Sequence, residues 1–121
     1  MTATEFKQKI IYTSAMGGFP AMEMCGGACR YLTKDGLKCV VGLLIPDGHR
    51  AQYRQSAAYT LFSEYPDLWK YIPTGMTIPD MVIIQKIHDG IAHDMFRKNG
   101  TSWPHQEFVQ KIEDFFMKYE S

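Results

Sequence analysis

The stretch "CRYLTKDGLKCVVGLLIPD", residues 29–47, decides the fold expected for this chain. Lys34-Asp35-Gly36 is a favoured tight-turn sequence, and residues 37–45 are rich in β-branched and large apolar side chains. A turn sequence between the arm that contains Tyr31 and Leu32 and this apolar run predicts a β-hairpin. The second arm is apolar on both faces, which indicates a strand covered on both sides by helices. Gly42 interrupts this arm and indicates a bulge or a close backbone approach.

Four segments around this stretch carry apolar residues at helical spacing. They cover about residues 3–15, 49–62, 77–98 and 104–119, and a short helical turn around Trp69 lies between the second and the third. The sequence therefore predicts an α+β fold, a mostly helical single domain over residues 1–121 with about four helices packed around a small β-hairpin. A chain of 121 residues suits one domain with one buried core.

Charge and cysteine content narrow the class of protein. The chain has 13 basic and 13 acidic side chains, which argues against bulk nucleic-acid binding but leaves open a local site for one small anion. Three cysteines, an odd number, and an opening without the apolar core of a signal peptide predict a reducing, cytoplasmic location. No run approaches the roughly 20 apolar residues of a membrane span, so no membrane association is expected.

Several of these residues also form a family-like pattern. The sequence resembles small uncharacterised bacteriophage and prophage proteins that carry C-x-Y, a Gly turn, then C-x-V-G-x-L-I-P-D, followed later by Q-x-x-H-D and a Trp. The matching positions from about residue 25 onward are Cys29, Tyr31, Gly36, Cys39, Val41, Gly42, Leu44, Ile45, Pro46, Asp47, Gln85, His88, Asp89 and Trp103. Cys25 is additional to the pattern, and Gly48-His49-Arg50 stands where an acidic residue is expected. The resemblance implies a phage origin, the same architecture and an accessory role, in the class that includes inhibitors of host defence.

The first candidate site would bind a small anion such as a signalling nucleotide. Arg50 and Arg54 are one helical turn apart, so their guanidinium groups are expected to converge on one phosphate. Tyr53 and Trp69 supply aromatic faces on which a base can stack, and Arg30 adds a positive charge on the hairpin. Further candidates near this site are Lys38, Tyr59 and Tyr71. Charged helix faces are more often simply solvated, and aromatic residues more often belong to the core.

A protein partner is the second expectation. Seven Tyr, seven Phe, two Trp and eight Met supply more aromatic and sulfur surface than a domain of this size is expected to hide, and such residues are enriched at interface cores. Residues 15–25 form a candidate exposed apolar loop. The composition therefore favours an accessory protein that acts by binding a host defence protein or a small nucleotide, with self-association as another form of partner binding, and no cofactor is expected.

A catalytic site and a metal site are two alternative hypotheses. Cys39 and His88, with Asp89 or Asp47, supply the residue types of a small cysteine-dependent hydrolase, although the interior of an apolar strand is a poor place for a reactive thiolate. Cys25, Cys29, Cys39 and His49 supply the ligand types of a Cys₃His zinc site, but their spacing differs from that of paired C-x₂-C knuckles. The main prediction includes neither catalysis nor a metal.

Overall fold

The computed structural model describes residues 1–21, 31–97 and 102–119, except for the side chain of Phe96. Its α-helices are α1 (Ala3–Ala15), α2 (Ala58–Glu64), α3 (Ile78–Arg97) and α4 (His105–Phe116). Short 3-10 helices lie at Val41–Leu44, Arg50–Tyr53, Pro66–Tyr71 and Met117–Tyr119. None of the described residues belongs to a β-strand, so the fold is helical.

Local signals set the limits of α1. Thr2 caps its first turn: the Glu5 amide donates to the Thr2 hydroxyl at 3.1 Å, and the Thr2 amide donates to the Glu5 carboxylate at 2.9 Å. The helix ends before Gly17, whose φ of +78° is in the left-handed region that favours glycine. Phe6 and Ile10 lie on one face and are fully buried. The predicted helix over residues 3–15 is therefore confirmed.

The start of α3 is fixed by Asp80, which accepts a hydrogen bond from the Thr77 amide at 3.0 Å. The same carboxylate pairs with Lys118 at 2.9 Å and accepts a hydrogen bond from the Tyr119 hydroxyl. Burial alone would raise the pKa of Asp80, but the hydrogen bonds from Tyr119, Lys118 and Thr77 together hold it below its ordinary value. This cluster joins the beginning of α3 to Lys118 and Tyr119, which follow α4.

The helices α1, α3 and α4 share one hydrophobic core. The large apolar side chains that α3 and α4 bury in this core are Met81, Ile84, Ile91, Phe108, Ile112 and Phe116. Ser14 on α1 also contacts the start of α4: its hydroxyl accepts a hydrogen bond from the Trp103 indole at 3.0 Å and shares a hydrogen bond with Nδ1 of His105 at 2.7 Å. Among the described helices, none is both long enough and apolar enough to cross a membrane.

The predicted β-hairpin is wrong, and with it the α+β class. The turn itself forms, since Gly36 adopts a φ of +83° and the Thr33 amide donates to the Leu37 carbonyl at 2.9 Å. Pairing across the turn is limited to one isolated bridge between Leu32 and Lys38. Beyond it, the chain coils into the 3-10 helix Val41–Leu44 instead of extending.

Residues 41–44 form a helical turn because their backbone amides have hydrogen-bond acceptors other than a neighbouring strand. The Val41 amide donates to Oε1 of Gln85 on α3 at 3.0 Å, and the Leu43 amide donates to the Cys39 carbonyl at 3.1 Å. Gly42 lies directly against Tyr31: a Cβ added at Gly42 would be 2.2 Å from the Tyr31 carbonyl oxygen. The close backbone approach predicted at Gly42 is therefore confirmed, although it belongs to a helical turn.

The continuous helix predicted over residues 49–62 is also wrong. A 3-10 helix ends at Tyr53, Arg54 is extended with φ −81° and ψ 152°, and α2 begins only at Ala58. Side chains support the short turn, because His49 Nδ1 accepts from the Ala51 amide at 3.0 Å. Such local side-chain to backbone bonds compete with a regular α-helix. The short helical turn around Trp69 is confirmed at Pro66–Tyr71.

Candidate functional site

Three lysines surround one open pocket of about 420 Å³. Lys9 comes from α1, Lys38 follows the tight turn, and Lys70 belongs to the 3-10 helix Pro66–Tyr71. Tyr71 also lines the pocket and is partly exposed. The remaining lining residues are mostly apolar and include Leu43, Leu44, Ile45 and Pro46. The pocket thus combines an apolar floor, an aromatic ring and a positively charged rim.

The backbone brings these distant segments together. The Thr74 amide donates to the Met1 carbonyl at 2.9 Å, and Thr2 forms an isolated parallel bridge with Thr74. These contacts hold the start of α1 beside the segment that carries Lys70 and Tyr71. Lys9 Nζ lies 3.5 Å from the Leu43 carbonyl oxygen, so this ammonium group reaches the apolar floor.

One carboxylate partly offsets this charge. Lys38 Nζ lies 2.6 Å from Oδ1 of Asp47, whose side chain is 89% exposed. The hydrogen bond from Lys38 and the Lys38 charge lower the pKa of Asp47 below its ordinary value, and the Lys9 charge contributes less. Lys70 Nζ lies 5.3 Å from the centre of the Tyr71 ring. Three ammonium groups against one carboxylate make a local positive excess in a chain whose formal charges cancel.

The residues predicted to bind a nucleotide are placed differently. Because Arg50 lies in a 3-10 helix that ends before Arg54, the α-helical spacing expected to bring the two together is absent. Arg54 pairs with Glu64 at 2.7 Å. Tyr53 is 70% exposed and Trp69 is 54% exposed, with the Trp69 indole donating to the Phe62 carbonyl at 2.8 Å. Arg30 lies outside the described residues.

Two residues of the lysine pocket, Lys9 and Lys70, were missed by sequence reasoning. The sequence also indicates Lys38 and Tyr71 as candidates, but it places them near Arg50 and Arg54. No local pattern links Lys9 to Lys70, because they meet only through the contacts at Thr74.

The Cys39 thiol is completely buried. Burial raises the pKa of Cys39 to about 12, although the hydrogen bond from the Gly42 amide, at 3.4 Å from the sulfur, acts in the opposite direction. Burial therefore strongly disfavours the thiolate that nucleophilic catalysis requires.

The fully buried His88 has partners at both ring nitrogens. The Ala21 amide donates to Nε2 at 3.2 Å, which places the ring proton on Nδ1, 2.9 Å from Oδ1 of Asp89. The same Asp89 oxygen accepts from Nε2 of Gln85 at 2.8 Å. Gln85, His88 and Asp89 therefore form a connected network on α3 that binds backbone amides of the segments packed against it.

The alternative zinc ligands are not brought together in the described residues. His49 Nδ1 accepts from the Ala51 amide, and Nε2 contacts Oδ2 of Asp67 at 2.7 Å. Cys39 is buried in the core, while Cys25 and Cys29 lie outside the described residues. Within residues 1–21, 31–97 and 102–119, no group of three or more His, Cys, Asp or Glu side chains is placed to hold a metal ion.

No protein-family model matches this sequence, and neither the curated proteins nor the solved structures contain a significant match to it.

Proposed function

We propose that this protein binds a small anionic ligand of the nucleotide type in the lysine pocket. The observation that carries the proposal is the convergence of Lys9, Lys38 and Lys70 with Tyr71 on one pocket above an apolar floor. This moves the proposed anion site away from Arg50 and Arg54.

The chemistry of the pocket suits a phosphorylated ligand. Lysine binds phosphate as a compact point charge, and three such groups from separate segments match the distributed charge of more than one phosphate. Tyr71 adds a ring on which a base can stack, and stacking tolerates different bases. The volume of about 420 Å³ lies within the range of about 300–1,000 Å³ that is usual for small-molecule sites.

In this proposal the biological role is that of a phage-type accessory protein that counters host defence by sequestering a signalling nucleotide. The resemblance described above supports this role, and the charge balance of the chain favours one local anion over bulk nucleic acid. The alternative cysteine-dependent hydrolase has less support, because the buried Cys39 thiol lacks access and ionisation.

Calorimetric titration with ATP, a cyclic dinucleotide and pyrophosphate tests the proposal. At low salt we expect at least one of these probes to bind, and Lys9→Gln/Lys70→Gln to weaken binding by about tenfold or more, because two ammonium–phosphate contacts are lost. Lys111→Gln is the matched control, since Lys111 lines a different groove, between α3 and α4. Absence of binding by all three probes, or equal weakening by the control, would contradict the proposal.

A host protein partner is the second candidate, and the exposure of Tyr53, Tyr59 and Trp69 favours it. Tyr and Trp are frequent binding hot spots, and these three side chains lie within one segment of about twenty residues. Sedimentation of the wild type and of Tyr59→Ser/Trp69→Ser over a wide concentration range tests self-association as one form of this candidate. A mass that is concentration-dependent only for the wild type would support it, and a monomer at every concentration would exclude self-association through these residues.

A further inference from the structure

A second, smaller pocket lies on another face, where α3 meets the start of α2. Its volume is about 160 Å³, which corresponds to about five water molecules. Tyr31, Ser56, Gln85, Lys86 and Asp89 supply its polar lining, and Ala57, Ala58 and Val82 supply an apolar wall. None of these residues lines the lysine pocket.

Asp89 presents a carboxylate that the surrounding structure holds in place. Its Oδ1 accepts from Gln85 at 2.8 Å and from His88 at 2.9 Å. Both of those side chains are buried and are themselves held by backbone amides, Gln85 by Val41 and His88 by Ala21. The Asp89 side chain is 34% exposed, so a fixed negative charge borders the pocket. Orientation of this kind by supporting hydrogen bonds is typical of a binding site.

Ser56 supplies a second, independent sign of a missing partner. Its hydroxyl oxygen is buried and has no hydrogen-bond partner among the described residues. The Ser56 carbonyl, in contrast, accepts from the Tyr31 hydroxyl. A buried hydroxyl without a partner is costly, and native proteins satisfy most such groups with protein, water or ligand atoms. Ser56 lines the pocket, so rotation of its side chain would turn the hydroxyl towards a polar ligand there and provide that partner.

Two opposite charges from consecutive turns of α3 border the pocket. Lys86 lines it together with Asp89, and no ion pair joins these two described side chains within 4 Å. A ligand with an ammonium group for Asp89 and a carboxylate for Lys86 would complement both charges. The volume of about 160 Å³ limits such a ligand to a few non-hydrogen atoms, so its side chain must be small.

We propose that this pocket, bordered by Asp89, Lys86 and Ser56, binds a small zwitterionic amino acid of the size of glycine or alanine. The Asp89 carboxylate binds the amino group, the Lys86 ammonium group binds the carboxylate, and the Ser56 hydroxyl hydrogen-bonds to the bound molecule. This site is independent of the lysine pocket.

Titration with L-alanine and glycine, followed by calorimetry and by NMR shifts of backbone amides, tests the proposal. We expect saturable binding of one or both, and about tenfold weaker binding of ethylammonium chloride and sodium propionate, each of which keeps only one charged group. Lys86→Gln is expected to weaken alanine binding by about tenfold without affecting folding, since Lys86 is exposed. Asp89→Asn should abolish it. Lys111→Gln should leave it unchanged, because Lys111 lines only the groove between α3 and α4, to which Lys86 also contributes.

The possible outcomes separate clearly. Failure of alanine and glycine to bind would overturn the proposal and leave the pocket as a site for water only. Binding of ethylammonium as tight as that of alanine, or unchanged affinity in Lys86→Gln, would overturn the assignment to a zwitterion. Thermal unfolding of each variant identifies any loss of binding caused by loss of structure, and Lys86→Gln keeps the test decisive if Asp89→Asn unfolds.

Discussion

Replacement of Gly42 by alanine should strongly destabilise the protein, because the residue packs against backbone rather than against a movable side chain. The added Cβ would lie 2.2 Å from the Tyr31 carbonyl oxygen, 3.1 Å from its carbonyl carbon and 3.3 Å from its Cα. A carbon–oxygen contact normally needs about 3.3 Å, so the two segments must separate by about 1 Å.

The cost follows from the surroundings of this contact. Val41, Gly42 and Tyr31 are all buried, and Gln85 holds the segment by its bond to the Val41 amide. Forcing extra atoms into a well-packed core typically costs about 1–3 kcal/mol. Because the clash here is with backbone, we expect a loss near the upper end, about 3 kcal/mol, which lowers the melting temperature by about 10 °C for a chain of this length.

Gly90→Ala is the matched control for Gly42→Ala. Gly90 lies within α3, and a Cβ added there meets nothing within 4 Å. Because alanine is the better helix former, this variant should gain about 0.8 kcal/mol. The same chemical change is therefore expected to have opposite signs at the two glycines.

Urea unfolding monitored by far-UV circular dichroism gives the free energy of unfolding for both variants. In a β-strand, alanine at position 42 would be neutral or slightly stabilising, because glycine weakens a strand interior. A Gly42→Ala variant as stable as the wild type would therefore refute the packing of Val41–Leu44 against Tyr31.

Three further predictions concern titratable groups. Cys39 should resist alkylation by iodoacetamide in the native state and react only on unfolding, as mass spectrometry of the labelled protein would show; rapid native labelling would contradict the buried position. Asp80→Asn should destabilise the protein near neutral pH, and the loss should become smaller as pH falls. The reason is that the pKa of Asp80 is lower in the folded than in the unfolded protein, so its carboxylate stabilises the fold above the unfolded pKa and loses this effect as pH falls through the folded pKa. Parallel curves of stability against pH for the variant and the wild type would contradict this. Asp47→Asn should strengthen pyrophosphate binding in the lysine pocket severalfold at low salt, because Lys38 loses its competing carboxylate; calorimetry showing weaker binding would count against the site.

The helices with local start and stop signals could be predicted from the sequence. Thr2 and Glu5 form the capping pair that starts α1, and Thr77 with Asp80 starts α3 close to the expected residue. These signals act between residues three apart, so the sequence contains them in full. The short segment from His49 to Ser56 was mispredicted because the local bonds of His49 compete with the helix that apolar spacing suggested.

The apolar run at residues 37–45 could not be assigned correctly for a different reason. A short apolar run is equally consistent with a buried strand and a buried helical turn. Gln85, which is far along the chain, decides between them here. Its side chain accepts the hydrogen bond of the Val41 amide, a bond that in a sheet would go to a neighbouring strand. The lysine pocket was missed for the same kind of reason, since Lys9 and Lys70 meet only in three dimensions.

The sequence pattern that contains Cys39, Gln85 and His88 corresponds to hydrogen bonds in the structure. Cys39 accepts the Gly42 amide, Gln85 accepts the Val41 amide, and His88 accepts the Ala21 amide. Each of these side chains thus satisfies a backbone group that the fold buries, and buried amides without partners are costly. Gln85 and His88 thus hold coil segments onto α3, and Cys39 stabilises the turn within its own segment. Cys39 and His88 therefore indicate architecture, whereas Asp89, which belongs to the same pattern, also borders the second pocket. Binding is expected at that pocket and at the lysine pocket.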